Sequence, residues 1–110
     1  MGLLPEVSDE ELERLRATEP TAFRKRYREP DTGEVFGDVV FRKPRREEVR
    51  RFKDAARKGL DTGFIVRACL LAPPLEVWDA VTAQELSGLP DTAETDIMKA
   101  CGIMAESVGK

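Results

Sequence analysis

Near the N-terminus, apolar residues recur at helical spacing. Leu12 and Leu15 follow Ser8 and Glu11, whose separation is that of a capping box, in which the serine hydroxyl and the glutamate carboxylate satisfy free backbone amides at a helix start. Because proline disfavours the helical conformation of the residue before it, the helix should end before Pro20. The pattern therefore predicts a short N-terminal helix.

The period of the pattern then shortens to two. Alternating residues over 23–28 and 35–42 flank the turn-forming stretch 29–33, and this order predicts a β-hairpin. On the first strand, one face carries three basic side chains, namely Arg24, Arg26 and Arg28. Gly37 in the second strand indicates a bulge or a weak sheet edge. Because two strands alone are marginally stable, the hairpin should pack on another element.

Beyond Pro44 the spacing of apolar residues returns to three and four. Val49, Phe52 and Ala55 recur with this spacing, and Gly59 follows a basic last turn. A cation near the carboxyl end and a glycine just past it are typical of helix ends. This segment is therefore predicted to form an amphipathic helix.

Three further helices are predicted in the second half of the chain. The mostly apolar run over 64–71, capped by Asp61, should form a helix at the buried centre of the domain. The next helix should begin at 74 or 75, run to 86 and end at the glycine and proline that follow it. The last should begin at Asp91 and end near Gly102 or a few residues beyond.

These elements predict an α+β, mostly α-helical fold in a single domain over 1–110. It would comprise an N-terminal helical arm over 1–20, a β-hairpin over 21–43 and a bundle of about four short helices over 45–104. A chain of 110 residues, 41% hydrophobic and 35% charged, can bury one core without disulfides or metal. Because no stretch approaches the roughly 20 apolar residues of a membrane helix and no secretory signal is recognised, we expect a cytoplasmic protein without membrane association.

Charge is distributed unevenly along the chain. The net charge is −3, yet basic residues outnumber acidic ones from Arg24 to Lys58 and acidic residues outnumber basic ones on both sides of that segment. A basic segment can contact nucleic-acid phosphates. The candidates for such a basic surface are Arg24, Lys25, Arg26, Arg28, Arg45, Arg46, Arg50 and Arg51.

A solvated helix face explains the same charges without nucleic acid. Asp54 and Lys58 are four residues apart, the spacing at which opposite charges pair on a helix. Aromatic residues that could stack on bases occur near the basic run, but no RNA-binding signature or zinc-finger spacing accompanies them. These aromatic residues are Phe23, Tyr27, Phe36 and Phe41. We therefore favour the solvated face over nucleic-acid binding.

Residues that commonly carry catalysis or bind metal are scarce. The chain has no histidine, and Cys69 and Cys101 lie far apart in apolar surroundings, as buried thiols do. No phosphate-binding glycine loop occurs. The carboxylates at 91, 94 and 96 are explained by a preference for negative charge at a helix start. The sequence thus predicts a non-enzymatic protein without metal or cofactor.

From Val39 onward the order of signals resembles the small tail assembly chaperones of long-tailed bacteriophages and their prophages. The shared features are the run 39–44 leading into a charged helix, the apolar stretch 66–71 before a proline, and Trp78. They continue with the turn 88–90 and a last short helix reaching position 102.

The resemblance implies a chaperone that binds tape measure and major tail proteins in the host cytoplasm during tail assembly, and it allows a homo-oligomer. Binding such clients needs apolar or adaptable surfaces, for which thioether and leucine side chains are suited. The candidates are Leu86, Leu89, Met98 and Met104. Two alternatives stay open: another phage structural or adaptor protein, and a small nucleic-acid-binding regulator that uses the basic segment over 24–58.

Overall fold

The computed structural model describes residues 3–101. Within that range the chain forms five helices and three strands, and the fold is α+β and mostly helical, as predicted. In chain order the elements are α1 (Asp9–Thr18), β1 (Phe23–Arg28), β2 (Val35–Phe41), α2 (Arg46–Arg57), α3 (Phe64–Cys69), β3 (Leu70–Ala72), α4 (Leu75–Ala83) and α5 (Leu89–Ala100).

The capping box at the start of α1 is confirmed. The backbone N–H of Glu11 donates to the hydroxyl of Ser8 at 3.1 Å, and the N–H of Ser8 donates to the Glu11 carboxylate at 3.1 Å. The helix stops at Thr18, before Pro20, as the sequence predicts. Leu12 is the buried residue of this helix and packs with Val7, which attaches the helix to the rest of the fold.

The hairpin is present, but β2 is not a sheet edge. The strands are antiparallel in the order β1-β2-β3, which places β2 in the centre. The register shifts between Tyr27, which lies opposite Gly37, and Arg28, so of the two alternatives predicted for Gly37 the bulge is the one confirmed. The second edge of β2 is covered because Val40 pairs with Ala72 and Phe41 lies opposite Leu70.

The third strand corrects the prediction of one helix over 64–71. The helix ends at Cys69, and the last apolar residues of the run form β3. A short apolar run fits a buried helix and a buried strand equally well by its pattern alone. Here the open edge of β2 decides the conformation, because its backbone groups need hydrogen-bond partners once they are buried.

Helix boundaries differ from prediction in the second half of the chain. Asp61 does not cap α3; its carboxylate accepts the N–H of Gly63 at 2.8 Å, one residue before the helix begins. The helix predicted over 74–86 ends earlier, at Ala83. The last helix begins at Leu89 rather than Asp91, with Pro90 in its first turn, where a missing N–H leaves no intrahelical bond unmade.

The core lies between the sheet and the helices α3, α4 and α5. Ile65, Val66 and Cys69 of α3 are buried, which confirms that this helix is central, and they share a cluster with Trp78 and Ile97. Helix α2 occurs as predicted, but it contains no buried residue and lies on the outside of the fold. Among the described residues, no helix is long and apolar enough to cross a membrane.

Candidate functional site

A groove runs between the hairpin turn and the start of α5. We call it the hairpin groove; it encloses about 430 Å³. That volume lies within the range of ligand-binding clefts in proteins. Its lining combines apolar and polar side chains and includes Tyr27, Pro30, Phe36, Leu86, Leu89 and Thr92.

Two backbone turns shape one wall of the hairpin groove. The N–H of Leu86 donates to the carbonyl of Val81 at 2.9 Å, and the N–H of Leu89 donates to the carbonyl of Leu86 at 3.0 Å. These bonds fold the chain between α4 and α5 so that both leucine side chains point inward, with 7% and 8% of their surface exposed. The groove therefore has a firm apolar floor.

Tyr27 connects the two walls of the hairpin groove. Its hydroxyl donates to Oδ2 of Asp96 on α5 at 2.9 Å. Burial raises the pKa of Tyr27, and the hydrogen bond to Asp96 raises it further. The phenol consequently stays protonated at neutral pH and acts as a hydrogen-bond donor, which holds the hairpin against α5.

The four predicted client-binding residues do not share one environment. Leu86 and Leu89 belong to the core and also line the hairpin groove. Met98 is half-buried and packs against the same core. Met104 lies outside the described residues. Sequence reasoning missed Phe36 and Thr92, and no pattern in the chain marks them as neighbours.

The basic residues of the hairpin serve the fold. Arg24 donates to the carbonyl of Val7 at 2.7 Å and to the carboxylate of Asp9 at 2.8 Å. Arg26 binds Asp38 through two hydrogen bonds of 2.7 and 3.0 Å. Arg28 donates to the carbonyl of Gly33 at 3.2 Å, and Lys25 lies half-buried on β1. Three of the four hairpin candidates for a basic surface, Arg24, Arg26 and Arg28, therefore already have partners within the fold.

The basic residues around α2 divide into two groups. Arg45 pairs with Glu19 at 3.7 Å, and the guanidinium of Arg51 lies 4.0 Å from the centre of the Phe64 ring. The side chains of Arg46 and Arg50 make no ion pair or hydrogen bond with any residue in the range 3–101. These two arginines remain available to a ligand.

A second groove lies along α2. We call it the helix groove; it encloses about 470 Å³. Its lining residues are Lys43, Pro44, Arg46, Val49, Arg50, Lys53 and Cys101. Lys43 and Lys53 were not among the predicted basic residues, although the spacing of 46, 50 and 53 along a helix places those three cations on one face.

The aromatic residues considered for base stacking lie mostly in the interior. Phe41 and Tyr27 are buried, and the Phe23 ring lies 5.9 Å from the Phe41 ring, centre to centre. Phe36 is partly buried against the core. These rings stabilise the fold, so the stacking platform that single-stranded nucleic acid requires is not formed by them.

Two ion pairs, each with one buried member, were not foreseen from the sequence. Asp38 is fully buried and accepts hydrogen bonds from Arg26 and from the N–H of Val7 at 2.8 Å. Its hydrogen bond with Arg26 holds the pKa of the Asp38 carboxyl below its usual range. A lone aspartate in an otherwise apolar strand was the signal for this pair, because a buried charge needs a partner.

Arg42 and Glu48 form the second ion pair, between the end of β2 and α2. The guanidinium donates two hydrogen bonds of 2.8 Å to the carboxylate and a third, of 2.9 Å, to the carbonyl of Ala68. Hydrogen bonding to Arg42 lowers the pKa of Glu48 to about 2. The pair fixes the start of α2 to the sheet, and the two charges neutralise each other.

Of the carboxylates at 91, 94 and 96, only Asp91 lies in the first turn of α5, and the other two lie further along the helix with separate partners. Glu94 accepts a hydrogen bond from the hydroxyl of Thr62 at 2.9 Å, while Asp96 accepts from Tyr27. No group of three metal-ligating side chains is found within residues 3–101. Burial raises the pKa of the Cys69 thiol to about 11, so this cysteine behaves as a core residue.

Comparison of the chain with protein-family models, with curated proteins and with solved structures gives no match.

Proposed function

We propose that this chain is a non-enzymatic tail assembly chaperone, which binds the tape measure and major tail proteins of a long-tailed phage in the host cytoplasm. The resemblance over Val39 to Gly102 supports the identity of the clients. The geometry supports the mode of action, because the described surface offers grooves with apolar floors and polar rims.

The hairpin groove carries the proposal. It presents Phe36 and Pro30 beside a floor of two leucines, and its rim includes Glu85 and Thr92. Apolar anchors surrounded by polar groups are characteristic of surfaces that bind a protein segment. A helical client such as a tape measure segment would place one apolar side chain in the groove and leave its polar face in water.

Co-expression tests the proposal. The full chain is expressed together with the tape measure protein or the major tail protein of the same genome, and the soluble fraction is assayed for co-purification. We expect each client to become more soluble and to co-purify with the chain. If neither client does so, the chaperone proposal is wrong.

A matched pair of variants tests the groove itself. Thr92 and Thr95 are both exposed on α5, and each hydroxyl contacts the carbonyl four residues earlier, at 3.4 and 3.2 Å. Only Thr92 lines the hairpin groove. We expect Thr92→Arg to abolish co-purification and Thr95→Arg to retain it, with similar thermal unfolding midpoints. Retention by both variants would show that the client binds elsewhere.

A further inference from the structure

We propose that the helix groove binds an acidic segment of a partner protein, whose carboxylates meet four cations and whose apolar side chain packs on the groove floor. The helix groove shares no lining residue with the hairpin groove, so this second contact does not rest on the chaperone assignment.

The cations of the helix groove lie on one face of one element. Arg46, Arg50 and Lys53 are separated by four and three residues, which aligns them along about 10 Å of α2. Lys43 extends the row from the segment before the helix. No carboxylate of the described chain lines this groove; Glu47 and Asp54 lie beside Arg50 and Lys53 in a separate depression on the helix surface.

Other cations near α2 are neutralised within the fold, and this distinguishes the helix groove from an ordinary solvated face. Arg42 is held by Glu48, and Lys58 lies 3.2 Å from Asp54, which also pairs with Arg57. By contrast, the four groove cations have no ion-pair partner among residues 3–101. An acidic ligand would therefore bind these four cations without first breaking an ion pair within the described chain.

The floor of the groove is apolar. Pro44, Val49 and Cys101 lie among the cations, each partly buried, and α2 contains no fully buried residue. An apolar side chain of the ligand would remove this floor from water, which is favourable in proportion to the area covered. The combination of cations with an apolar floor matches an amphipathic acidic peptide.

A nucleic-acid ligand fits these features less well. Proteins that bind duplexes through phosphates commonly make six to ten such contacts, whereas the row here has four cations over about two helical turns. The arginines of β1 do not extend the row, because Arg24 and Arg26 are paired with Asp9 and Asp38. No aromatic side chain of the described chain lines the groove to stack on a base.

Fluorescence anisotropy of a labelled synthetic peptide tests the proposal on the full chain. The peptide has about 15 residues of glutamate, alanine and leucine, with glutamates at spacings of four and three and one leucine per turn. The comparison peptide carries glutamine at every glutamate position. We expect the acidic peptide to bind at low salt, more weakly as salt is raised, and the glutamine peptide not to bind.

Two double variants of α2 form the matched test. We expect Arg50→Gln/Lys53→Gln to weaken binding roughly fivefold, because each exposed ion pair contributes a small factor. Arg57→Gln/Lys58→Gln removes the same charge at the C-terminal end of that helix, outside the groove, and should leave the affinity nearly unchanged. Val49→Ser should weaken binding without altering net charge. Thermal unfolding of each variant verifies that the fold is kept.

Several results would overturn the proposal. One is failure of the acidic peptide to bind; another is equal weakening by both double variants.

Tighter binding of an oligonucleotide that only Arg50→Gln/Lys53→Gln weakens would assign the groove to nucleic acid. Self-association abolished by that variant would assign it to a second copy of the chain. Much tighter peptide binding by a chain ending at Cys101 would assign it to segment 102–110. Loss of peptide binding in Thr92→Arg would mean that the peptide contacts the hairpin groove instead.

Discussion

At the scale of single residues, the charged side chains of this protein divide by whether the fold has already given them a partner. Arg42 is nearly buried, and its guanidinium is satisfied by Glu48 and by a backbone carbonyl. Arg46 is exposed and has no ion pair with a described residue. Similar residues only four positions apart thus have opposite roles, one in stability and one at a candidate binding surface.

The Arg42–Glu48 pair should make stability depend on pH. Because the folded-state pKa of Glu48 is about 2, below its ordinary value of 4.5, the pair's contribution is complete above about pH 4.5 and is lost as the pH falls towards 2. We expect Glu48→Gln to lower the free energy of unfolding by about 1–2 kcal/mol at pH 7 and by less than half as much near pH 3. Urea unfolding at the two pH values measures this difference.

Glu47→Gln is the control for this measurement. Glu47 is the exposed neighbour on the same helix turn and forms no ion pair with a residue of the described range. Its replacement should change the unfolding free energy little at either pH. A loss from Glu48→Gln that is the same at pH 7 and pH 3 would contradict the assigned pairing.

At the scale of elements, the N-terminal segment before α1 is attached to the bulged part of β2. The N–H of Leu4 donates to the carbonyl of Phe36 at 2.8 Å, and the N–H of Asp38 donates to the carbonyl of Pro5 at 2.9 Å. Gly37 lies between these two bonds with a φ of 131°, in a region that side chains rarely adopt. A glycine is needed there both for its backbone conformation and for space.

Gly37→Ala should therefore be strongly destabilising. An added Cβ would lie 2.3 Å from the carbonyl oxygen of Leu4, so the segment must move. We expect a loss of about 2–4 kcal/mol in the free energy of unfolding, measured by denaturant titration. Gly33→Ala is the control: its φ is 75° and a Cβ there meets nothing within 4 Å, so a loss of only about 1 kcal/mol is expected. Equal losses would mean that the contact with Leu4 is unimportant.

At the scale of the whole molecule, the hairpin and the last helix are joined by a bond between residues far apart in the chain. The Tyr27 hydroxyl reaches Asp96 from β1, and Tyr27 belongs to the core. Tyr27 also lines the hairpin groove, so this contact connects a lining residue of that groove to α5. The helix groove, in contrast, depends on the outer position of α2, which the pair of Arg42 and Glu48 fixes to the sheet.

Removal of the Tyr27 hydroxyl tests the long-range bond. We expect Tyr27→Phe to lower the free energy of unfolding by about 1 kcal/mol, because the ring still fills its place in the core while the partly buried Asp96 carboxylate loses its donor. In a double-mutant cycle with Asp96→Ala, the two losses should not add, and the coupling should be about 1 kcal/mol. Additive losses would show that the two side chains do not interact in solution.

Local order could be predicted from the sequence because local chemistry creates it. Ser8 and Glu11 define the start of α1 through bonds within one turn, and the turn residues over 29–33 close the hairpin. The helix over Arg46–Arg57 follows from its own period. The protein's α+β class, the order of its elements up to α3 and the central position of α3 were determined in this way.

Tertiary structure decided the features that depend on distant partners. Leu70–Ala72 form a strand because they pair with the edge of β2 that is not bound to β1. By its pattern alone, the same short apolar sequence fits a helix equally well. Whether an arginine side chain is paired depends on which carboxylate the fold places beside it. Arg26 forms an ion pair with Asp38, whereas Arg50 has no ion-pair partner among the described residues. The sequence by itself determined the elements up to α3, since their hydrogen bonds join residues near one another along the chain. The third strand and the two grooves required the packed fold, because their contacts join residues far apart along the chain.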